Sequence, residues 1–268
     1  MTPQRTFQFS CLMVVSLLAA VAPAHAKILK TRPRASETWS PLLALTIGSG
    51  FEFETDGQQS VYDFPILVEY NLTEALKLTA EPHFVYIESK SADTQTLSGW
   101  GDLETTLEYE FLRERRYRPA LTAEGLIKWP TARSPDLDTD GTDYTIGLIA
   151  SKDLVFFDLD INTLYTFVGS RDQKDTFEIS VGSQRHLNNF LDLEAEVLTS
   201  VGGGVRGQPG TIAGIGTRQG TGGNESEGTL GIAEYLNTYL KLEEGVVLKS
   251  DHSWQIVFAW EYSFSGRD

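Results

Sequence analysis

Apolar side chains recur at every second position along most of this chain. The stretch Leu-Glu-Tyr-Glu-Phe at 107–111 shows the alternation most plainly, and it continues with one short interruption from residue 99 to residue 130. A period of two is typical of a β-strand whose two faces meet different surroundings. The pattern therefore predicts an all-β protein, with almost no helical segment of convincing length.

About twelve such strands are expected in succession. Within the fourth of them, Gly101-Asp102 shifts the alternation by one residue, as a β-bulge would. The apolar runs that define the strands cover residues 43–53, 62–70, 76–86, 100–111, 121–129, 144–150, 155–167, 177–181, 191–197, 229–236, 239–247 and 254–264.

The predicted connections alternate in length. Tight turns are expected near 71–73, 113–118, 151–153, 188–189 and 236–238. The links between them are mostly longer and polar, and they cover 55–60, 89–98, 130–142, 169–175 and 202–228. Short turns on one rim and long loops on the other are typical of bacterial outer-membrane barrels. An even strand number places both termini on the short-turn rim, which faces the periplasm.

We therefore expect an antiparallel up-and-down transmembrane β-barrel of about twelve strands. Its apolar row would face lipid and its carboxylate row a wet lumen, while closure would satisfy the backbone hydrogen bonds. Aromatic residues near the strand ends fit two interfacial girdles, namely Trp100, Trp129, Phe167 and Trp254 at one rim and Tyr70, Phe111, Tyr262 and Phe264 at the other. A secreted antiparallel sandwich with one solvated face is the alternative, because it would show the same alternation.

Residues 1–26 have the pattern of a cleaved secretory signal peptide. Arg5 precedes an apolar run at 11–22, and Ala24-His25-Ala26 is an A-x-A cleavage site. The run is shorter than the roughly 20 residues that a membrane-spanning helix needs, and a buried helix is the alternative. We expect a barrel domain at 27–268, which contains no cysteine because Cys11 is the only one in the chain.

The charge of the chain limits the possible partners and indicates whether the predicted lumen contains water. The formal net charge is −15, so a nucleic-acid partner is excluded. An ionised carboxylate in a dry, unpaired site is costly, so the predicted lumen must be hydrated. An acidic lining would favour cations or neutral solutes over anions, although the acids could instead form a structural network with the few bases. The candidate lumen-lining residues are Glu52, Glu69, Glu81, Glu104, Glu108, Glu124, Lys128, Asp158, Asp160 and Glu194.

An ordered set of short motifs also resembles a known family. Gly99-Trp100-Gly101-Asp102-Leu103 is followed by Pro119-Ala120-Leu121, Lys128-Trp129-Pro130-Thr131 and Asp143-Tyr144. This order is similar to the G-x-G-D-L…P-A-L…K-x-P-T-G…D-Y pattern of the outer-membrane transporter family labelled "meta-pathway of phenol degradation". Ala132 replaces the last glycine of that pattern. The resemblance implies an outer-membrane barrel that passes small hydrophobic or aromatic compounds.

Two other segments give weaker indications of function. Asp136, Asp138 and Asp140 precede Gly141 as in a calcium loop, but Gly147 stands where an EF-hand needs its Glu, so a solvated acidic loop is favoured over a calcium site. The glycine-rich segment 202–228 predicts a mobile outer loop, and its sequence leaves open whether it folds inward as a gate.

Catalysis and cofactors are not expected. The only histidines after residue 26 are His83, His186 and His252, and neither a G-x-S-x-G elbow nor an H-E-x-x-H pair occurs. Two functions stay open, a transport barrel for small solutes and a structural or binding barrel such as a surface-loop adhesin or sensor. Either would reside in the outer membrane of a Gram-negative-type cell, contact its lipid and require the barrel-assembly machinery for insertion.

Overall fold

The computed structural model describes residues 44–55, 59–89, 96–134, 137, 141–170, 174–188, 191–202, 225–235, 240–249 and 254–264. In these ranges the chain forms a single 14-stranded antiparallel sheet. The strands are β1 (Leu45–Thr55), β2 (Gln59–Thr73), β3 (Leu76–Glu81), β4 (His83–Ser89), β5 (Leu97–Trp100), β6 (Leu103–Leu112), β7 (Ala120–Trp129), β8 (Asp143–Leu154), β9 (Phe157–Phe167), β10 (Thr176–Asn188), β11 (Leu191–Gly202), β12 (Glu225–Tyr235), β13 (Leu240–Lys249) and β14 (Trp254–Ser263). Within the same ranges, no helix is long and apolar enough to cross a membrane.

The sheet closes into a barrel because β1 pairs with both β2 and β14. Two of the wall strands are each split into two segments. Both β3 and β4 pair with β2, with Pro82 between them, and β5 and β6 are separated only by Gly101 and Asp102. Counting each split strand once gives a closed wall of twelve strands, which confirms the predicted architecture and the irregularity expected at Gly101-Asp102.

The two strand breaks lie side by side and support each other. Pro82 cannot donate to the ladder, but its carbonyl accepts from Ile66 N at 2.8 Å. Gly101 N donates to the His83 carbonyl at 2.9 Å across the two breaks. A Cβ at Gly101 would lie 2.1 Å from His83 Nε2, so the imidazole ring leaves space only for glycine. With His83 in this position, a larger residue at 101 would require the imidazole ring to move.

Alternate positions along the strands form two distinct rows. On β8, Ile146 and Leu148 are 57% and 45% exposed, whereas Thr145 and Ile149 are 7% and 0% exposed. We call the exposed apolar row the outer row and the alternate row the inner row. The same alternation runs along the other strands, as a barrel with an apolar outside requires. Exposed aromatic residues mark the strand ends, namely Trp100, Trp129 and Phe167 at the long-link rim and Phe111, Tyr262 and Phe264 at the short-turn rim.

The sequence predicts the turn between β8 and β9 at 151–153, and this position is wrong. Strand β8 continues to Leu154, which pairs with Phe157, and the turn consists of Val155 and Phe156. Val155 is in phase with Phe157 and Leu159, so the pattern assigned it to the next strand and placed the turn too early. Val155 and Phe156 are 93% and 77% exposed at the rim.

The other short turns agree with the sequence to different degrees. The turn expected at 71–73 falls at 74–75, because β2 continues through Thr73, whose Oγ1 accepts from Ala75 N at 3.2 Å. The turn at 113–118 is confirmed by a pair of hydrogen bonds between Arg115 and Arg118. Strand β10 ends at Asn188, beside the turn expected at 188–189. The turn at 236–238 and the candidate signal peptide at 1–26 lie outside the described residues.

Neighbouring residues on β1 provide a test of the two rows. We expect a cysteine in place of Glu52, on the inner row, to react rapidly with a membrane-impermeant thiol reagent in intact cells. A cysteine in place of Phe51, on the outer row, should react at least about tenfold more slowly, because apolar surroundings disfavour the reactive thiolate. Arg133→Cys, at an exposed position, is the fully reactive control. Equal rates at 51 and 52 would contradict the sorting of the rows.

Candidate functional site

The ten residues that the sequence singled out all lie on the inner row, alternating with exposed or half-exposed apolar positions. Five are partly exposed, namely Glu52, Glu69, Glu81, Glu104 and Asp158. The other five are buried, namely Glu108, Glu124, Lys128, Asp160 and Glu194. The inner face of the barrel is thus the candidate functional site.

One cluster on this face centres on Lys77 of β3. Its ammonium nitrogen lies 3.3 Å from Glu69 Oε1 and 3.2 Å from Glu108 Oε2, and its side chain is only 3% exposed. Glu124 stands opposite Glu108 on the next strand. Antiparallel register brings these four residues together from β2, β3, β6 and β7. Lys77 therefore offsets part of the mutual repulsion of these carboxylates.

A second row of charges lies nearer the long-link rim. Glu81 is opposite Glu104, Glu104 is opposite Lys128, and Lys128 is opposite Asp143. Three carboxylates therefore share this row with one lysine. The row continues the acidic surface of the Lys77 cluster along the same part of the wall, from β3 to β8.

The remaining predicted residues lie elsewhere in the barrel. Asp160 on β9 accepts a 2.5 Å hydrogen bond from Ser151 Oγ. Asp158 and Glu194 each pair with Gln184 of β10, from opposite sides. Glu52 is on β1, opposite Asp63. The structure thus gathers six of the ten predicted residues on β2 to β7 and leaves the other four dispersed around the inner face.

Aliphatic side chains form a separate group near the long-link rim. Val85, Ile87 and Leu137 are 3%, 6% and 3% exposed, and they pack with Val61, Leu97 and Ala132. We call these six residues the mouth cluster. Leu137 belongs to the link between β7 and β8, so part of this link packs against the inner faces of β2, β4 and β5.

Hydrogen bonds fasten the start of that link to the break in β5/β6. Asp102 is fully buried, and its Oδ1 accepts from Ala132 N at 2.8 Å. Leu103 N donates to Thr131 Oγ1 at 2.8 Å, and Leu137 N donates to the Ser134 carbonyl at 3.0 Å. Asp102 at the strand break thus binds the link backbone, and the adjoining Leu103 N binds the Thr131 side chain, so the start of the link is held against the barrel.

Sequence reasoning missed some of these residues. Asp102 was noticed only as part of a bulge and of a family motif, and Leu137 was not singled out. Asp63 was not recognised as the partner of His83, although Oδ2 of Asp63 lies 3.0 Å from His83 Nδ1. A carboxylate next to a glycine in a strand break is a signal that could have identified Asp102, because such breaks leave backbone donors unpaired.

Some expectations fall on residues that are not described. Asp136, Asp138 and Asp140 of the candidate calcium loop lie outside the described residues, as do His252 and residues 203–224 of the glycine-rich segment. Among the residues that are described, no group of three or more His, Cys, Asp or Glu side chains is placed to hold a metal ion.

Comparison with known proteins gives structural likeness without close sequence similarity. No family model matches the chain, and no curated protein matches it. The chain is similar in structure to the COG4313 outer membrane channel from Pseudomonas putida F1, with a TM-score of 0.69 and 13% identity over 88% of this chain and 100% of that one. The resemblance to the phenol meta-pathway family therefore stays a prediction.

Two porins have the same fold at lower similarity. KdgM, solved in complex with oligogalacturonate, aligns with a TM-score of 0.56 and 9% identity over 82% of this chain and 99% of that one. NanC aligns with a TM-score of 0.52 and 10% identity over 80% of this chain and 98% of that one. The TM-scores establish likeness of fold, and the identities are too low to show more. The alignments cover nearly the whole length of each of the three proteins.

Replacing Lys77 tests the electrostatic role of the buried cluster. We expect Lys77→Met to lower the free energy of unfolding in detergent by about 3 kcal/mol, because it leaves Glu69 and Glu108 facing each other without the cation. Denaturant titration, followed by the shift in electrophoretic mobility on unfolding, would measure the loss. Adding Glu69→Gln and Glu108→Gln to the same variant should restore most of the stability. A triple variant as unstable as Lys77→Met would instead indicate a packing role for the lysine stem.

Proposed function

We propose that the protein is an outer-membrane channel that passes small solutes through the acidic interior of its barrel. It would reside in the outer membrane of a Gram-negative-type cell, with both termini and the short-turn rim on the periplasmic side. The closed twelve-strand wall with an apolar outer row supports residence in a membrane. The names of the similar solved structures, an outer membrane channel and two porins, support the role in passage.

The charged inner row is the observation that carries this proposal. Glu110 Oε2 and both carboxylate oxygens of Glu194 are buried without a hydrogen-bond partner among the described residues. A carboxylate in that state is stable only where water or a cation can reach it, or where it takes up a proton. A barrel interior that served only as a packed core would not require such groups. We infer that the interior is hydrated, because Glu52, Glu69, Glu81, Glu104 and Asp158 on the same face are only partly buried.

The sign of the inner row predicts its preference among solutes. On β2, β3, β6, β7 and β8, Lys77 and Lys128 accompany six inner-row carboxylates, namely Glu69, Glu81, Glu104, Glu108, Glu124 and Asp143. A pore lined by carboxylates attracts cations and repels anions, while neutral solutes are little affected. The lumen should therefore pass cations and neutral molecules in preference to anions.

The mouth cluster supports a more specific proposal about the solute. Five of its side chains, Val61, Val85, Ile87, Leu97 and Leu137, place aliphatic carbon near the long-link rim. Val85, Ile87 and Leu137 are buried against one another, so the half-buried Val61, Leu97 and Ala132 are the members that offer apolar carbon to a solute. Together with the resemblance of the sequence motifs, this apolar surface suggests small hydrophobic or aromatic compounds as the solutes.

A structural or binding barrel without transport is the second candidate. The packing of Leu137 against β4 and β5, together with the hydrogen bonds of Asp102, places part of a long link in the mouth of the barrel. A link that closed the barrel permanently would block passage. Insertion by the barrel-assembly machinery is proposed for both candidates, and neither assigns a catalytic role to the His83–Asp63 pair.

Ion selectivity tests the channel proposal directly. In a planar bilayer with a potassium chloride gradient, we expect a reversal potential of the sign that indicates cation preference. The triple variant Glu52→Gln, Glu81→Gln and Glu104→Gln should reduce the permeability ratio of cation to anion by about twofold or more, because it removes partly exposed inner-row charges. Glu74→Gln, in an exposed turn, is the matched control. Anion preference in the unaltered protein, or no conductance at all, would overturn the proposal.

Replacing Asp102 tests whether the link between β7 and β8 limits passage through the barrel. We expect Asp102→Ala to raise single-channel conductance, or the rate of uptake of an aromatic compound into liposomes, because Ala132 N loses its acceptor and the link is released. Asp102→Asn retains a carbonyl oxygen in the same place and should stay close to the unaltered protein. Equal conductance in all three proteins would show that the link does not limit passage.

A further inference from the structure

Basic side chains are concentrated in one short turn of this acidic protein. The turn between β6 and β7 reads Arg-Glu-Arg-Arg-Tyr-Arg at 113–118, whereas the whole chain has 22 Lys and Arg against 37 Asp and Glu. Four arginines in six residues repel one another, so this composition is unfavourable unless an anion lies nearby.

The turn is held in a defined shape by its own hydrogen bonds. Arg115 N and Arg118 N each donate to the other's carbonyl at 3.1 Å, and Arg118 Nε donates to the Arg113 carbonyl at 3.1 Å. The guanidinium of Arg116 lies 5.1 Å from the centre of the Tyr117 ring. Arg115 and Arg116 are exposed, and within the described residues neither forms an ion pair.

The neighbouring turn is joined to this one. Glu114 Oε1 forms an ion pair with Lys152 Nζ and accepts a hydrogen bond from Asp153 N at 3.1 Å. Val155 and Phe156, the most exposed apolar residues of that turn, follow directly. Cationic and apolar side chains thus stand side by side on one part of the short-turn rim.

The positive charge also continues onto the outside of the wall. Lys152 occupies the outer row of β8, in line with Ile146 and Leu148. Arg185 occupies the outer row of β10, in line with Ile179 and Val181, and it is exposed. Both cations lie at the short-turn end of rows that are otherwise apolar. This is the level at which lipid headgroups meet a membrane protein, and long basic side chains reach toward them.

We propose that this surface binds the phosphate of anionic phospholipid headgroups. We define it as the basic rim patch, which consists of Arg115, Arg116, Arg185, Val155 and Phe156, and which lies beside the Lys152–Glu114 ion pair. Guanidinium groups bind phosphate oxygens through charge-assisted hydrogen bonds, and each basic residue close to an anionic membrane surface adds to the attraction. The exposed Val155 and Phe156 favour a lipid over a soluble polyanion, because they can enter the interface beside the headgroups.

The choice of phospholipid over lipopolysaccharide rests on the orientation proposed above, in which the short-turn rim is periplasmic. Lipopolysaccharide carries the same phosphate chemistry but would meet the opposite rim. A preference between the two lipids therefore separates this inference from the channel proposal, which conductance tests independently.

The test uses the purified full-length barrel in a neutral detergent. Native mass spectrometry would count bound phosphatidylglycerol, phosphatidylcholine and lipid A, each added at the same concentrations. We expect phosphatidylglycerol to bind at least about fivefold more tightly than phosphatidylcholine. The triple variant Arg115→Gln, Arg116→Gln and Arg185→Gln should lose this preference. Arg133→Gln with Lys174→Gln, which removes two basic residues from the opposite rim, should keep it.

Each remaining outcome overturns the inference. Equal binding of phosphatidylglycerol and phosphatidylcholine would contradict the inference. A triple variant that keeps its lipid preference, and whose normal shift in electrophoretic mobility on unfolding shows that it is folded, would also contradict it. Tighter binding of lipid A than of phosphatidylglycerol would assign the patch to the other leaflet. Displacement of bound phosphatidylglycerol by soluble polyphosphate but not by further lipid would assign it to a soluble polyanion.

Discussion

The hydrogen-bonded seam between the first and last strands is the constraint on which the rest of the structure depends. Ten residues of β1, from Thr46 to Thr55, pair in register with β14, while the other edge of β1 pairs with β2. An open edge in a bilayer would leave a row of backbone donors and acceptors without partners, at a cost of several kcal/mol for each group. Closure removes both edges at once. It also separates the outside of the barrel from its inside. The two faces of each strand then meet different surroundings, which the alternation of side chains matches.

The inner row shows how that separation is used and what it costs. Carboxylates are brought within contact range by register alone, as with Glu108 and Glu124, so their repulsion must be offset locally. Lys77 does this for Glu69 and Glu108. Among the described residues of β2 to β8, the inner row has more carboxylates than lysines, so its formal charge is negative. The fold thus retains electrostatic repulsion that a packed core would have avoided, which is the reason for regarding the interior as functional.

Much of the fold could be predicted because its signal is local. A period of two identifies strands and assigns each side chain to a row, and the inner position of all ten candidate residues follows from that parity. Parity does not say which inner residues meet. The Lys77 cluster depends on the register of four strands, and the contact of Leu137 with Val85 depends on the path of a long link. Val155 and Phe156 misled the sequence reading for a different reason, since apolar residues in a turn look like a strand that continues.

The side-by-side strand breaks connect the wall to the mouth. At Pro82 and Gly101 the ladder is interrupted, yet the His83 carbonyl and the Asp102 carboxylate take backbone donors that the interruption leaves available. The apolar mouth cluster and the acidic inner row then lie in series along the barrel. An anion would be repelled by the carboxylates, and a small cation would have to lose part of its hydration beside the aliphatic side chains. In the channel that we propose, a neutral solute of low polarity would meet neither barrier, which is why we propose that class of solute.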